Sequence, residues 1–225
     1  SGTSALLEIG ANAQQIVVGR RSMGRVARWF AGSLSASLAE ESTVPGTVIR
    51  TASDEDIDVQ DQIANALSPG DDQVHFVTPV VPTPRVVRPI VVGVDGSPTS
   101  QRALEFAARL AKLNSAPLHV MFCWQLRDLG TVPSYESSVA PMEVAQRYAE
   151  SIVTKMADDS PMPAGLSVTP NAFHISAGKG LVSASRYARH IVVGSRGLSG
   201  LDAHFLGSVS KQLLNSAECN LSIVH

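Results

Sequence analysis

Short apolar runs alternate with amphipathic segments along the chain from residue 88 onward. The runs lack a clean apolar–polar alternation and therefore predict buried strands. They cover about 90–94, 117–124, 166–175, 190–193 and 221–224. The segments between them predict helices that start at Pro98, cover about 142–157, lie near 184–188 and cover about 208–216. Strands of this kind in alternation with helices predict a parallel sheet covered on both faces, with right-handed crossovers.

The first 50 residues repeat the pattern at the end of the chain. The run 16–19 repeats 191–194, and Gly32-Ser33 follows it at the same distance as Gly207-Ser208 follows the later run. Helical patterns over about 4–13 and 33–40 complete the segment, together with a short strand near 47–50. We interpret residues 1–50 as the back half of a second copy of the 88–225 unit, and we call this segment the first copy.

Residues 51–87 differ from both flanking segments and predict a linker. An acidic run occupies 53–58, and four prolines lie between residues 78 and 89. Proline at this density favours an extended chain over a packed element. The acidic run indicates a solvated face, with a partner site as the alternative.

The strand at 190–193 leads into a polar loop with regularly placed glycines. The pattern is Gly194, two residues, Gly197, nine residues, then Gly207-Ser208 ahead of a helix. Such a loop can direct backbone N–H groups at one anion, and Ser208 and the helix N-terminus add donors and positive dipole. The pattern predicts a phosphate site, whereas a plain glycine-rich turn is the alternative. The first copy has Ser22 in place of Gly197, and a Cβ there would hinder a positive φ or a close ligand approach.

A second candidate feature follows the strand at 90–94. There Asp95-Gly-Ser97-Pro98 predicts a helix start, with Ser97 as N-cap and Pro98 as the first helical residue. Ligands of parallel sheets bind beyond the carboxyl ends of the strands, where the strand order reverses. If the strands at 90–94 and 190–193 are neighbours, Asp95 and the glycine loop face one crevice. Alternatively, Asp95 is only a turn or capping residue.

Composition excludes several classes of function. A net charge of −2 provides no electrostatic footprint for nucleic acid or for an anionic membrane. No apolar run approaches the roughly 20 residues of a membrane-spanning helix, and the first residues lack the basic region of a secretory signal. Two cysteines, Cys123 and Cys219, are too few for a disulfide framework. We therefore expect a reduced, cytoplasmic protein without a nucleic-acid or membrane partner.

The remaining chemistry-bearing residues form no recognisable catalytic set. No Ser, His and acid combination and no Walker phosphate loop can be assembled. His119 and His174 fall in strand patterns and are predicted to be core histidines, while both cysteines are predicted to be inert. The arginines between residues 20 and 28 indicate solvated surface, with a phosphate contact as the alternative. We therefore expect at most slow catalysis from these residues.

Three motifs together resemble the universal stress protein family. They are Val92-Gly-Val-Asp95-Gly-Ser, Leu118-His-Val, and the glycine pattern from Gly194 to Ser208. The resemblance covers 88–225, and residues 1–50 resemble the back half of another such domain. It implies a Rossmann-like, HUP-type fold with a five-stranded parallel sheet in the order 3-2-1-4-5 and helices on both faces. It also implies tandem domains and pairing through the last strands, here from Thr47 to Arg50 and from Leu221 to Val224, within the chain or in a homodimer.

The glycine pattern is typical of the nucleotide-binding branch of the family, so the resemblance implies ATP, with or without Mg²⁺, as the ligand. Val94 and Asp95 would line the adenine and ribose side, and Val120 or Met121 would lie near the base. Val193 would contact the nucleotide at the strand end. The residues that would hold ribose and phosphates are Gly194, Gly197, Gly207, Ser208 and Val209. Arg196 and His204 would add charge near the phosphates, at positions that the family pattern does not specify.

Two departures from the family pattern qualify this picture. The first copy lacks the strand-one aspartate and has Ser22 for glycine, so it is predicted not to form a full site alone. The stretch from Gly178 to Leu181 makes the third helix about one turn shorter than the family would have it. We expect residues to be absent before Ser1 and near this stretch, which an intact-mass measurement tests.

These observations predict a tandem universal stress protein. Its 88–225 unit would bind ATP as a regulatory or sensing ligand in the stress response. The alternatives are a slow nucleotide hydrolase or nucleotidyl transferase on the same fold, for which Asp95 is the obvious carboxylate, and a nucleotide-free dimerisation module.

Overall fold

The computed structural model describes residues 2–19, 33–50, 87–198 and 206–225. Most of the predicted linker, the arginine cluster, Ser22 and His204 lie outside these residues. The helices are α1 Gly2–Gly10, α2 Ser33–Glu41, α3 Pro98–Leu113, α4 Met142–Asp158, α5 Ala177–Ala184 and α6 Ser208–Ser216. The strands are β1 Ile16–Gly19, β2 Gly46–Ile49, β3 Ile90–Gly93, β4 Leu118–Trp124, β5 Val168–His174, β6 His190–Gly194 and β7 Asn220–Val224.

All seven strands form one sheet in the order β1-β2-β7-β6-β3-β4-β5. Within the 88–225 unit the five strands are parallel and have the predicted order 3-2-1-4-5. β3 therefore lies between β4 and β6, with Ile90 opposite both Leu118 and His190. Because β3 and β6 are neighbours, the loops after Gly93 and Gly194 leave the sheet side by side.

The two faces of the sheet carry separate cores. α3 and α4 cover one face, where the largest fully buried side chains include Trp124, Leu104 and Leu118. α5 and α6 cover the other face around Leu181, Leu213 and Ile191, and Ala39 of α2 packs there as well. Burial on both faces is the physical reason why the strands lack polar alternation.

The start of α3 has the predicted chemistry. Ser97 is the N-cap, its hydroxyl accepts from the Ser100 backbone N–H, and Pro98 is the first helical residue. α6 begins and ends at the predicted residues, 208 and 216.

α5 differs from the prediction. The helix was expected near 184–188, but it occupies 177–184 and so contains both Gly178 and Gly180. A Cβ at Gly180 would lie 2.6 Å from Cys123 Sγ. Both glycines thus lie where the helix packs closely against its neighbours. In the sequence alone, two glycines so close together indicate the end of a helix, because the residues that pack against them are not identified there.

The first copy joins the sheet through an antiparallel pair. β1 runs parallel to β2, and β2 pairs antiparallel with β7, with Thr47 opposite Ser222. Since Ile16 lies opposite Gly46 just as Ile191 lies opposite Leu221, Thr47 and Ser222 occupy equivalent positions in the two copies. A local two-fold axis therefore passes between them. Pairing of the last strands is present within the chain, and it occupies the edge of β7.

A series of hydrogen-bonded polar side chains, all buried except the half-buried Gln15, crosses this axis. Gln15 Nε2 donates to Thr47 Oγ1, Thr47 Oγ1 lies 2.5 Å from Ser222 Oγ, and Ser222 Oγ lies 2.8 Å from His190 Nε2. Gln15 precedes β1 as His190 begins β6, so the series is pseudo-symmetric. Burial, aided by the charge of Arg189, lowers the pKa of His190 to about 4.

Candidate functional site

A cavity of about 900 Å³ opens at the carboxyl ends of β3, β4 and β6. It lies where the strand order reverses, as expected for a parallel sheet. Nine of the residues predicted for a nucleotide site line it: Val94, Asp95, Val193, Gly194, Arg196, Gly197, Gly207, Ser208 and Val209. The sheet topology thus brings together two features that lie about 100 residues apart in the sequence.

Among the predicted residues that the structure describes, Val120 does not line the cavity. It is fully buried in the core beneath α3 and α4, whereas its neighbour Met121 lines the cavity. Successive side chains of a strand point to opposite faces of the sheet. Of the two alternatives for strand two, Met121 is the one at the cavity.

The ends of the glycine loop are anchored by hydrogen bonds. The Ser195 N–H donates to the Val224 carbonyl at 2.7 Å, and the Gly207 N–H donates to the Ser195 carbonyl at 2.8 Å. The Ser210 hydroxyl donates to the Gly194 carbonyl at 2.8 Å. These bonds place the first turn of α6, with Ser208 and Val209, at the cavity wall. The unpaired N–H groups of a helix N-terminus and its positive dipole favour an anion there.

Close packing explains why Gly197 is a glycine. Among the described residues, the glycines with a positive φ are Gly96, Gly130 and Gly165. The φ of Gly197 is therefore not in the left-handed region. An ideal Cβ at Gly197 would instead overlap Asp95 Oδ2. The sequence predicted a positive φ or a close ligand approach at this position, whereas the close neighbour in the structure is the Asp95 carboxylate.

Asp95 connects two loops. Its Oδ1 accepts from the Ser97 N–H at 3.0 Å, which is the turn chemistry kept open as an alternative, and its Oδ2 accepts from the Leu198 N–H at 3.1 Å. A second bond runs in parallel, since the Thr99 hydroxyl donates to the Arg196 carbonyl at 2.6 Å. The strand-one loop and the glycine loop are thus joined at two points.

Several lining residues were missed in the sequence. Gln125, Arg127 and Asp128 follow β4, Ser176 precedes α5, Ala177 and Gly178 begin it, and Gln212 comes from α6. Asp128 Oδ2 accepts from the Gln125 N–H at 2.8 Å, and Asp128 Oδ1 lies 3.6 Å from Arg127 Nε. The signal available was topological, because every parallel strand ends at the same edge, so the loops after β4 and β5 also reach the cavity.

The structure agrees with the predictions for the two cysteines and contradicts the prediction for His174. Burial raises the pKa of Cys123 and Cys219 to about 12, in agreement with inert thiols. His119 is half-buried, and burial lowers its pKa. The prediction that His174 is a core residue is wrong. The side chain is exposed at the end of the edge strand β5, with its ring centroid 4.5 Å from that of Trp124.

Two features are absent from the part of the chain that the structure describes. In that part of the chain, no group of three or more His, Cys, Asp or Glu side chains is placed to hold a metal ion. Among the helices described above, none has the length and apolar character needed to cross a membrane.

Comparison with known proteins relates this architecture to one family. The sequence model of the universal stress protein family matches residues 87–225, which is more than half of the chain. Universal stress protein Rv2005c of Mycobacterium tuberculosis is 28% identical over 212 residues, covering 94% of this chain and 62% of the relative. The chain therefore spans less than two thirds of the length of that relative.

A solved structure of a universal stress protein has the same fold. The crystal structure of a universal stress protein from Archaeoglobus fulgidus aligns with 99% of this chain and 64% of its own, with a TM-score of 0.56 and 17% identity. A universal stress protein solved in complex with cAMP aligns with 62% of this chain and 98% of its own, with a TM-score of 0.42 and 24% identity.

Proposed function

Because the chain belongs to the universal stress protein family, we propose that its cavity binds an adenine nucleotide, ATP, as a regulatory or sensing ligand in a stress response. One observation carries this proposal. The glycine pattern after β6 and the Asp95 loop after β3 form walls of a single cavity at the switch point of the sheet. The volume of about 900 Å³ falls in the range of small-molecule sites.

The chemistry of the walls suits the two ends of a nucleotide. Val94, Met121 and Val193 offer apolar surface for a base, while Ser208 and the N-terminus of α6 offer donors for phosphates. Arg196 lines the same cavity and adds a positive charge. If Mg²⁺ accompanies ATP, Asp95 and Asp128 are the lining carboxylates that could approach it, and both already accept backbone N–H bonds.

A binding role fits this arrangement better than fast catalysis. Asp95, the obvious carboxylate for hydrolysis, has each oxygen engaged by a backbone N–H of the protein. Steady ATP turnover well above background that disappears in Asp95→Ala would favour a nucleotide hydrolase instead.

Pairing of the last strands is proposed to be intramolecular. The edge of β7 that a homodimer would use is already paired with β2. A homodimer through this edge would require residues 46–49 to leave the sheet.

The test is calorimetric titration with ATP. Gly207→Val places side-chain atoms against the Ser195 carbonyl, since even a Cβ would lie 3.2 Å from that oxygen. Combined with Ser208→Ala it should abolish ATP binding while the far-UV circular dichroism stays that of the parent. Gly46→Val is the matched control, because a Cβ at Gly46 meets nothing within 4 Å. Unchanged ATP affinity in the double variant would remove the site assignment.

A further inference from the structure

Arg50 of the first copy holds the C-terminal end of α6. It directly follows β2, and its Nη2 donates to the Leu213 carbonyl at 3.3 Å and to the Leu214 carbonyl at 3.0 Å. Its backbone N–H donates to Asn220 Oδ1 at 2.9 Å, at the start of β7. The last four carbonyls of a helix have no intrahelical partner, and a cation beside them complements the helix dipole. Arg50 therefore supplies both donors and charge to the last turn of α6.

The helix α2 of the first copy contacts α6 as well. Ala39 packs in the same apolar core as Leu213. Glu40 Oε1 lies 3.4 Å from Lys211 Nζ, but both side chains of this ion pair are partly exposed, so the pair contributes little. The buried packing and the bonds of Arg50 thus provide most of the hold on α6.

The opposite end of α6 forms part of the cavity wall. Its first residues, Ser208 and Val209, line the cavity, and the Lys211 N–H closes the first turn on the Gly207 carbonyl at 3.0 Å. The helix has nine residues, so its two ends are only about 13 Å apart. Isolated helices of this length are marginal in water and depend on tertiary contacts. A contact at the last turn therefore also helps to order the first turn.

We propose that Arg50 is a positioning residue for the nucleotide. By holding the last turn of α6, it keeps the N–H donors at the start of that helix directed at the phosphates. Arg50 acts through the helix, since it is not among the residues that line the cavity. The first copy then serves the 88–225 unit as a support for its nucleotide site. The inference rests on the proposed function, because α6 is positioned for a nucleotide.

The discriminating variant is Arg50→Met, which removes the charge and the N–H donors but keeps an apolar stem that can pack. Calorimetric titration compares ATP with adenosine, which has no phosphate. ATP should lose about fivefold or more in affinity, because hydrogen bonds to an anion are weakened, whereas adenosine should stay within about twofold of the parent. An equal loss for both ligands, or unchanged ATP affinity, overturns the proposal.

Two further variants control for the loss of charge. Lys112 of α3 is also a cation that donates to a backbone carbonyl, that of Ala164 at 2.7 Å, and it does not line the cavity. Lys112→Met should therefore leave ATP affinity unchanged, and a loss as large as that in Arg50→Met would assign the effect to net charge and overturn the proposal. Arg50→Lys returns a cation with N–H donors, so it should bind ATP more tightly than Arg50→Met. Equal affinities of these two variants would contradict the proposal.

A second measurement needs no ligand. In the unliganded chain, the backbone amide of Lys211 should exchange its hydrogen about fivefold faster or more in Arg50→Met than in the parent. Faster exchange confined to Ala217, whose N–H donates to the Leu213 carbonyl in the last turn, would make Arg50 a local cap and overturn the proposal. If the parent binds no ATP, the proposed function fails, and this exchange experiment still decides whether Arg50 orders the first turn.

Discussion

His190 makes the stability of this chain depend on pH in a way that one substitution can isolate. The side chain begins β6, is 7% exposed, and bonds Ser222 at the axis between the two copies. One set of directions satisfies every bond: Gln15 donates to Thr47, Thr47 to Ser222, and Ser222 to a neutral His190 Nε2. A protonated His190 would donate from Nε2 to the Ser222 hydroxyl. Both hydroxyls would then have to donate in the opposite direction, and the Thr47 hydroxyl would have no acceptor, because Gln15 Nε2 is a donor.

The magnitude follows from the pKa of His190. Its ordinary value of 6.5 in the unfolded chain is lowered to about 4 in the folded state. The unfolded state therefore binds the proton more readily between these values, so the contribution of His190 is fully present above pH 6.5 and is lost as pH falls toward 4. The total is about 3 kcal/mol, of which about 2 kcal/mol should be lost between pH 7.5 and pH 5.

The assay compares the parent with His190→Gln by urea unfolding at several pH values. Glutamine does not titrate, and Gln15 is the residue that already occupies the equivalent position beside Thr47. The difference between the two unfolding free energies should change by about 2 kcal/mol from pH 7.5 to pH 5, in favour of the variant at low pH. Parallel pH profiles for the parent and His190→Gln would refute the reasoning.

Two further predictions concern the face of the sheet that carries α5. Gly180→Ala should destabilise the chain by about 1–3 kcal/mol, because its Cβ would lie 2.6 Å from Cys123 Sγ and 2.9 Å from Ile175 Cγ2. Urea unfolding measures this, and stability equal to that of Gly46→Ala, where a Cβ has open space, would contradict it. Cys123 should react with a thiol reagent at pH 8 roughly a thousandfold more slowly in the folded chain than in denaturant, since burial raises its pKa to about 12. Labelling of the folded chain at the denatured rate would show an accessible thiolate instead.

Local patterns in the sequence determined most of the strands and helices of the 88–225 unit and two of the loops that line its candidate site. Ser97 and Pro98 mark the start of α3 because capping chemistry acts within one turn. The strands are recognisable because burial on both faces imposes a continuous apolar run. Asp95 and the glycine pattern could be placed at one crevice because parallel strands end at a common edge, provided that β3 and β6 are neighbours.

The tertiary structure decided which side chain meets which. Residue 180 is a glycine although it lies inside a helix, because Cys123, on a strand distant in the sequence, leaves no room for a Cβ there. Met121 rather than Val120 reaches the cavity because the pleat of β4 alternates about the plane of the sheet. An added Cβ at Gly197 would overlap a carboxylate about 100 residues earlier, whereas the backbone φ of Gly197 is not left-handed. Such contacts depend on how crossovers bring distant segments together. The residues next to a position in the sequence do not identify the distant side chain that packs against it.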